Sequence, residues 1–465
     1  MFGRLQYNFG RKYLLEGTLR YDGSSRFPKN DKYGIFPSMA VGWRISEEPF
    51  LKGRFSWLDE LKLKASYGRL GNQDIGNYPF QNLLATGRNY PFGGQVSSGV
   101  ARTIITDPTI HWESTRTQDA GVEASFLRNM FSFSAGYFDR YTYDILVSPG
   151  ASVSWVLGAG VGAQNSGRLS NKGWEFTLGH RHRIGQVNYH VNANLSVVNN
   201  KVLDLGVGNI TQPNGQVGNG NNLFLGFPMN LYYGYVSEGL FTDDADVAAW
   251  KTANDMTAVN PNPKPGDVRY KDISGPDGKP DGKVTAAYDR TYLGSTIPRY
   301  TYGASLGASW KGFDLGMLLQ GIGGVKGFLN NYSGWALYQN GNVQRWQMEE
   351  RWRADNPNRN AKYPRMEVIT NQGTPNTLMS SYWMLNSAYL RLKNVTLGYT
   401  LPAAWLERAG IAGMRISFTA ENLYTWSNYR KGWDPETNVG GSYFNIDQAY
   451  YPIMANYTVG LNVNF

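Results

Sequence analysis

The sequence contains no cysteine and only four histidines in 465 residues. The first absence excludes disulfides, thiolate metal centres and a thiol nucleophile, and it leaves the compartment open. Charge is also scarce, at 17% of residues against the roughly 25% usual in soluble domains. The Lys and Arg behind the net charge of +9 are scattered rather than gathered into runs, which argues against nucleic acid as a partner. No apolar run approaches the roughly 18 to 20 residues of a membrane-spanning helix, so any crossing of a bilayer has to use strands. Residues 1 to 20, MFGRLQYNFGRKYLLEGTLR, lack the basic, apolar and small-residue series of a secretory signal. They alternate as a strand does, and the start reads as internal to something longer.

What is abundant is glycine (55), tyrosine (31) and aromatics generally, at 14%. In VNYHVNANLSV, residues 187 to 197, Val187, Tyr189, Val191, Ala193, Leu195 and Val197 fall on one face of a strand. Asn188, His190, Asn192, Asn194 and Ser196 fall on the other, because side chains alternate with period two. YTYGASLGASW, residues 300 to 310, repeats the pattern, and the closing YTVGLNVNF ends on the apolar Phe465. Aromatics tend to end the apolar rows, as with Trp43 after Met39 and Val41, and Tyr424 and Trp426 after Met414, Ile416 and Phe418. Soluble sandwiches and propellers also alternate, but their strands average about five or six residues. Here they run about ten to fifteen, with small, amide-rich polar faces, as expected of a transmembrane antiparallel β-barrel with aromatic girdles and a polar lumen.

Short connections (Gly10 to Lys12, Leu127 to Met130, Arg183 to Gln186, Lys311 to Gly312, Pro402 to Gly413) alternate in order with long ones. The long ones lie near 71–110, 148–170, 200–297, 326–385 and 428–452 and are expected to be extracellular, within a single barrel domain spanning 1–465. Segment 46–59 is a longer connection on the short-turn side. The count is thirteen strands, or fifteen if LYYGYVSEGLF supplies a pair. Both are odd, whereas a bacterial single-chain barrel closes with an even number and tolerates no open edge in lipid. The expectation is the C-terminal part of a larger barrel.

Nine phrases sharpen this, among them YGIFPSMAVGWRISEEPF (33 to 50), LKLKASYGRLGNQDIGNYPF (61 to 80), GDVRYKDISGPDGKPDG (266 to 282), AYLRLKNVTLGYTLP (388 to 402) and ISFTAENLYTWSNYRKGWDPE (416 to 436). Together they resemble the SusC/RagA-like TonB-dependent outer-membrane transporters almost end to end. The resemblance implies a 22-stranded barrel with an N-terminal plug that imports oligosaccharides or oligopeptides. It also implies a SusD-like surface lipoprotein as cap, TonB as energy source through the plug-bearing part absent from this sequence, and residence in outer-membrane lipid. It further implies that the last strand, with Phe465, is the signal read by the barrel-assembly machinery; an interfacial anchor is the plainer reading of that residue.

For metal, Asp277, Asp281, Gly282 and Val284 resemble part of a calcium loop, with Asp272 upstream and Asp289 closing it where no glutamate is available. A solvated Asp-Gly turn cluster explains the same residues. His180 and His182 share a strand face without a third ligand nearby and read as a basic interfacial patch. Aromatic and arginine clusters at 331–353 and 422–436 could stack on sugar rings or grip a partner, or simply pack the loops. No nucleophile-elbow, paired-carboxylate or phosphate-loop phrase is present, so no enzyme activity is expected. A structural or adhesive barrel, and less so a barrel enzyme, are the alternatives to transport.

Overall fold

Strict alternation of apolar and polar side chains commits most of this chain to long strands, and a computed structural model describes residues 1–149, 153–371, 373–407, 410–436 and 453–465. One sheet holds thirteen strands, each antiparallel to the next and arranged in chain order. They are β1 (Phe2–Phe9), β2 (Tyr13–Gly23), β3 (Tyr33–Arg44), β4 (Leu58–Asn72), β5 (Glu113–Phe126), β6 (Phe131–Val147) and β7 (Gln164–Ile184). There follow β8 (Val187–Asp204), β9 (Tyr300–Trp310), β10 (Phe313–Gly323), β11 (Tyr389–Thr400), β12 (Gly413–Ser427) and β13 (Asn456–Asn464).

The connections separate by side. Residues 10–12, 45–57, 127–130, 185–186, 311–312 and 401–412 join strands at one end, and 24–32, 73–112, 148–163, 205–299, 324–388 and 428–455 join them at the other. Lys311 (φ 45) and Gly312 (φ 87) make the two-residue hairpin turn whose left-handed pair of residues matches the twist of the flanking strands. At the opposite end β6, β7 and β8 run 17, 21 and 18 residues, beyond the nine to eleven or so that cross a bilayer. The upper parts of β7 and β8 therefore occupy sequence that composition alone assigns to loops. Residues 150–152 and 437–452, within two of the long connections, lie outside the described residues.

Register keeps each apolar row on one face. Leu195 stands between Phe176 and Tyr302, and Asn194 between Thr177 and Gly303. The apolar face stays uncovered by protein: Leu178, Leu397, Phe418 and Leu461 are all exposed. Such a row is stable only against lipid, where its burial contributes on the order of 25 cal/mol per Å².

The sheet holds thirteen strands rather than fifteen. LYYGYVSEGLF does form strands, Leu231–Tyr235 and Ser237–Leu240, but they pair with Arg290–Ser295 and Val268–Tyr270 away from the wall. All five residues of Leu231–Tyr235 are buried. Their apolar sides face loop partners, such as Phe224 against Tyr233 at 4.4 Å and Tyr270 against Tyr235 at 5.2 Å. A strand covered on both sides by loops and one bathed in lipid present similar residues.

The two larger cores sit in these long connections. Leu240, Phe241, Val247, Trp250, Met256, Val268, Tyr270 and Val284 form one, to which helix α1 (Asp244–Ala253) contributes Val247 and Trp250. Asp243 caps α1 by accepting from the Asp246 amide at 2.8 Å. Tyr232, Phe328, Trp335, Tyr338, Tyr363, Ile369 and Trp383 form the other.

Candidate functional site

The inner face of the wall is polar, and several of its charges are paired. Arg4 meets Glu16 at 2.7 Å, Lys62 and Lys64 meet Glu123 at 3.1 and 2.5 Å, and Arg415 meets Asp314 at 2.5 Å. Between these pairs lie small amide and hydroxyl side chains, with Asn192 Nδ2 reaching Ser305 Oγ at 3.5 Å. A surface of small polar groups and neutralised ions suits a wet passage, since it neither traps one charge nor excludes water.

The long-loop end of this passage carries the second element. Loops 205–299 and 324–388 are joined by a buried network around Asp267, which takes Arg365 Nε at 2.5 Å, Asn376 Nδ2 at 2.8 Å and Asn260 Nδ2 at 3.1 Å. Asp246 accepts from Arg269 at 3.1 Å and Arg359 at 2.9 Å. Burial alone would raise the Asp246 carboxyl, but the Thr242 amide and the two arginines outweigh it and hold it below the usual value. The loops thus form one body rather than separate hairpins.

That body is tied to the wall by Arg391. Register shifts flank Lys393 on both sides, between Leu318 and Leu319 of β10 and between Leu392 and Asn394 of β11. The extra residue inverts the alternation, so Tyr389 and Arg391 face inward although Val395, Leu397 and Tyr399 face out. Arg391 is 1% exposed. Its guanidinium donates to both Asp434 oxygens at 2.5 Å, to Glu436 Oε2 at 2.6 Å and to Thr425 Oγ1 at 2.7 Å. Tyr389 Oη and Lys393 Nζ reach the same Glu436 at 2.7 and 2.9 Å. Burial pushes the Glu436 carboxyl up, yet Tyr389, Lys393 and Arg391 prevail and keep it low. A few residues earlier, Arg430 lies over the Trp346 ring at 3.8 Å and Trp433 donates to Gln344 at 3.2 Å.

Sequence reasoning missed this clamp. Its parts lie within the quoted phrases, but Arg391 and Asp434 are 43 positions apart in sequence. The available signal was a charged Arg-Leu-Lys run inside a strand that otherwise keeps charge off its apolar row. The aromatic clusters divide. Trp335 and Tyr338 are buried in the loop core, whereas Tyr424 and Trp426 are exposed on the outer face of β12.

The aspartates are brought together only in part. Asp289 is fully buried and accepts from the Ile273, Ser274 and Thr285 amides at 2.8, 3.2 and 2.6 Å. Asp272 Oδ2 accepts from the Gly282 amide at 2.6 Å, while its Oδ1 is buried without a partner. Burial raises the Asp272 carboxyl, the Gly282 amide opposes, and the charges of Asp289 and Asp281 add to the rise. Asp277 stands exposed on the turn. Among the described residues no three acidic or histidine side chains are placed to hold one metal ion.

His180 and His182 share the outer face near a short turn, with His180 stacked on Phe131 at 4.2 Å and hydrogen-bonded to Tyr189 Oη at 2.9 Å. Phe465 is 92% exposed and stands one residue beyond β13, whose last rung pairs Asn464 with Gly413.

Comparison with known proteins agrees with this architecture. Residues 1–465 match the family model described as TonB dependent receptor-like, beta-barrel. The chain is 32% identical over 480 residues to TonB-dependent receptor P26 of Formosa agariphila, and 28% identical over 485 residues to TonB-dependent receptor SusC of Bacteroides thetaiotaomicron. All of this chain is covered in both alignments, but only 46% and 43% of those relatives, so it spans less than half their length. Among solved structures it is similar to the RagAB peptide importer in the open-open state, with a TM-score of 0.78 and 25% identity over 100% of this chain and 46% of the other.

Proposed function

The chain belongs to the TonB-dependent receptor-like β-barrel family of outer-membrane proteins, and from that membership we propose that it forms the barrel part of an energised importer of large nutrients. The observation that carries this reading is the loop body clamped by Arg391 to a wall whose inner face is polar. A lone adhesive or structural barrel has no need of a polar passage beneath an anchored cover. Oligopeptides or oligosaccharides are the substrate classes, supported by likeness to a peptide importer and to SusC. A SusD-like lipoprotein would sit over the long loops, which would be extracellular, and TonB would act through the part of the receptor outside this chain.

The test is uptake by cells carrying the full receptor, with labelled oligopeptides and oligosaccharides offered separately. One class should accumulate, and collapse of the proton-motive force should abolish it. Surface binding without accumulation would favour the adhesive reading, and conversion of substrate by the purified receptor would favour an enzyme.

Two smaller assignments accompany this proposal. Phe465 and its strand would serve the barrel-assembly machinery. For calcium at Asp272, Asp277, Asp281 and Asp289, the support is the buried, partnerless Asp272 Oδ1, which a cation would satisfy as a proton would, and an ion there would have to draw the other carboxylates in around it.

A further inference from the structure

The outer face of β4 to β8 changes character over two ladder steps toward the long loops. One row, in direct cross-strand register, is Ala65, Ala120, Tyr137, Trp174 and Val197. In the next, Asp139 faces Lys172. The row after that is Arg69, Arg116, Tyr141, Ser170 and Lys201. An apolar and aromatic band thus gives way to a cationic one within four residues along each strand, about 13 Å.

This row is electrostatically incomplete. Arg69 and Arg116 are directly paired across strands, an arrangement that is destabilising for like charges. Each lies against a tyrosine, Arg69 at 5.6 Å from the Tyr143 ring and Arg116 at 5.3 Å from Tyr141. Arg69 also donates to Ser114 Oγ at 3.1 Å, but Arg116 Nε is buried without a partner. The carboxylate of this patch, Asp139, is engaged by Lys172 at 2.9 Å. Among the described residues Arg69, Arg116 and Lys201 take part in no ion pair, unlike Lys62, Lys64 and Arg415 on the inner wall. A cleft of about 520 Å³ opens here, lined by Arg116, Tyr141, Lys172, Trp174 and Lys201.

We infer that this belt docks the phosphate groups of an anionic lipid in the leaflet on the long-loop side, with acyl chains lying along the Ala65 to Val197 row. The inference rests on the outer-membrane placement above and not on transport. Charge complementarity selects the headgroup: guanidinium and ammonium groups beside an aromatic shelf match phosphate oxygens held at the edge of hydrocarbon. Free phosphate would use the cations but leave the apolar row beneath them without a partner.

Lipid retention by the full receptor in detergent, followed by native mass spectrometry, tests this. The probes are bisphosphorylated lipid A, its dephosphorylated form, and inorganic phosphate as competitor. The phosphorylated lipid should be held at least about tenfold more tightly than the dephosphorylated one, a difference typical of lost charge-assisted contacts. The double substitution Arg116→Gln with Lys201→Gln should erase most of that preference, and Lys64→Gln on the inner wall should leave it intact. Equal retention of the two lipids by the unsubstituted receptor would overturn the inference even if the variants failed to fold. Displacement by inorganic phosphate at the concentration of lipid would overturn it too, as a free-anion site.

Discussion

Arg391 and Glu436 form an ion pair at 2.6 Å in which the guanidinium is 1% exposed, so the strand wall holds the last long connection by a charge that water does not reach. Replacing Arg391 with Ala would strand Asp434 and Glu436 beside a cavity. The expected cost is about 3 to 5 kcal/mol at the clamp, the usual penalty for removing one partner of a buried pair. Limited proteolysis near residue 430 should accelerate accordingly, while strand content by circular dichroism stays unchanged. An unaltered cleavage rate would show that the loop is held elsewhere.

Acid should release the same contact. The docked Glu436 carboxyl lies below its ordinary value, so the undocked loop binds a proton more readily than the docked one. The stabilisation is complete above the ordinary carboxylate range and fades as pH falls through the lowered value. Hydrogen exchange of residues 428–436 should therefore quicken in acid in the parent and much less in Glu436→Gln. Stronger protection at low pH would contradict the clamp as described.

Lipid exposure predicts an asymmetry between neighbours. Leu195→Arg places a cation in the apolar row and should cost about 2 to 4 kcal/mol, with Asn194→Arg on the wet face costing much less. Equal losses in a refolding assay of the full receptor would mean that the two faces are reversed or shared.

Calcium has a local readout. With the ion present, protease should cut the 272–289 segment more slowly, and Asp272→Asn should abolish the difference. Cleavage indifferent to calcium would leave Asp289 as a staple for backbone amides and nothing more.

The wall was legible because period-two alternation survives without knowledge of partners: Val187 to Val197 declare their faces unaided. Turns such as Lys311 to Gly312 announce themselves by residue type. What depended on register was hidden. Arg69, Arg116 and Lys201 are remote in sequence and become neighbours only when the ladders are aligned. Leu231–Tyr235 could be read as a wall strand because burial by loops and immersion in lipid select the same side chains. How Asp277 and Asp281 stand toward Asp272 and Asp289 was also hidden, since spacing along a loop does not say which carboxylates turn toward one another.

The bulge at Lys393 also constrains how relatives can differ in length. Removing that single residue would restore simple alternation through β11 with Leu392 still facing out and Arg391 still facing in, at the loss of only the Lys393 contact to Glu436; pairing the strand regularly with Lys393 retained would instead turn Arg391 out into hydrocarbon. A gap of one position there should be tolerated better than one between Val395 and Tyr399, which would turn one part of the strand over, and the 24–32 connection could lengthen or shrink without changing which way any wall residue points. Alignments of this family can be checked at that position: relatives with a one-residue deletion at 393 should keep the arginine and the two acids it holds, and their loss from such relatives would contradict the bulge as described.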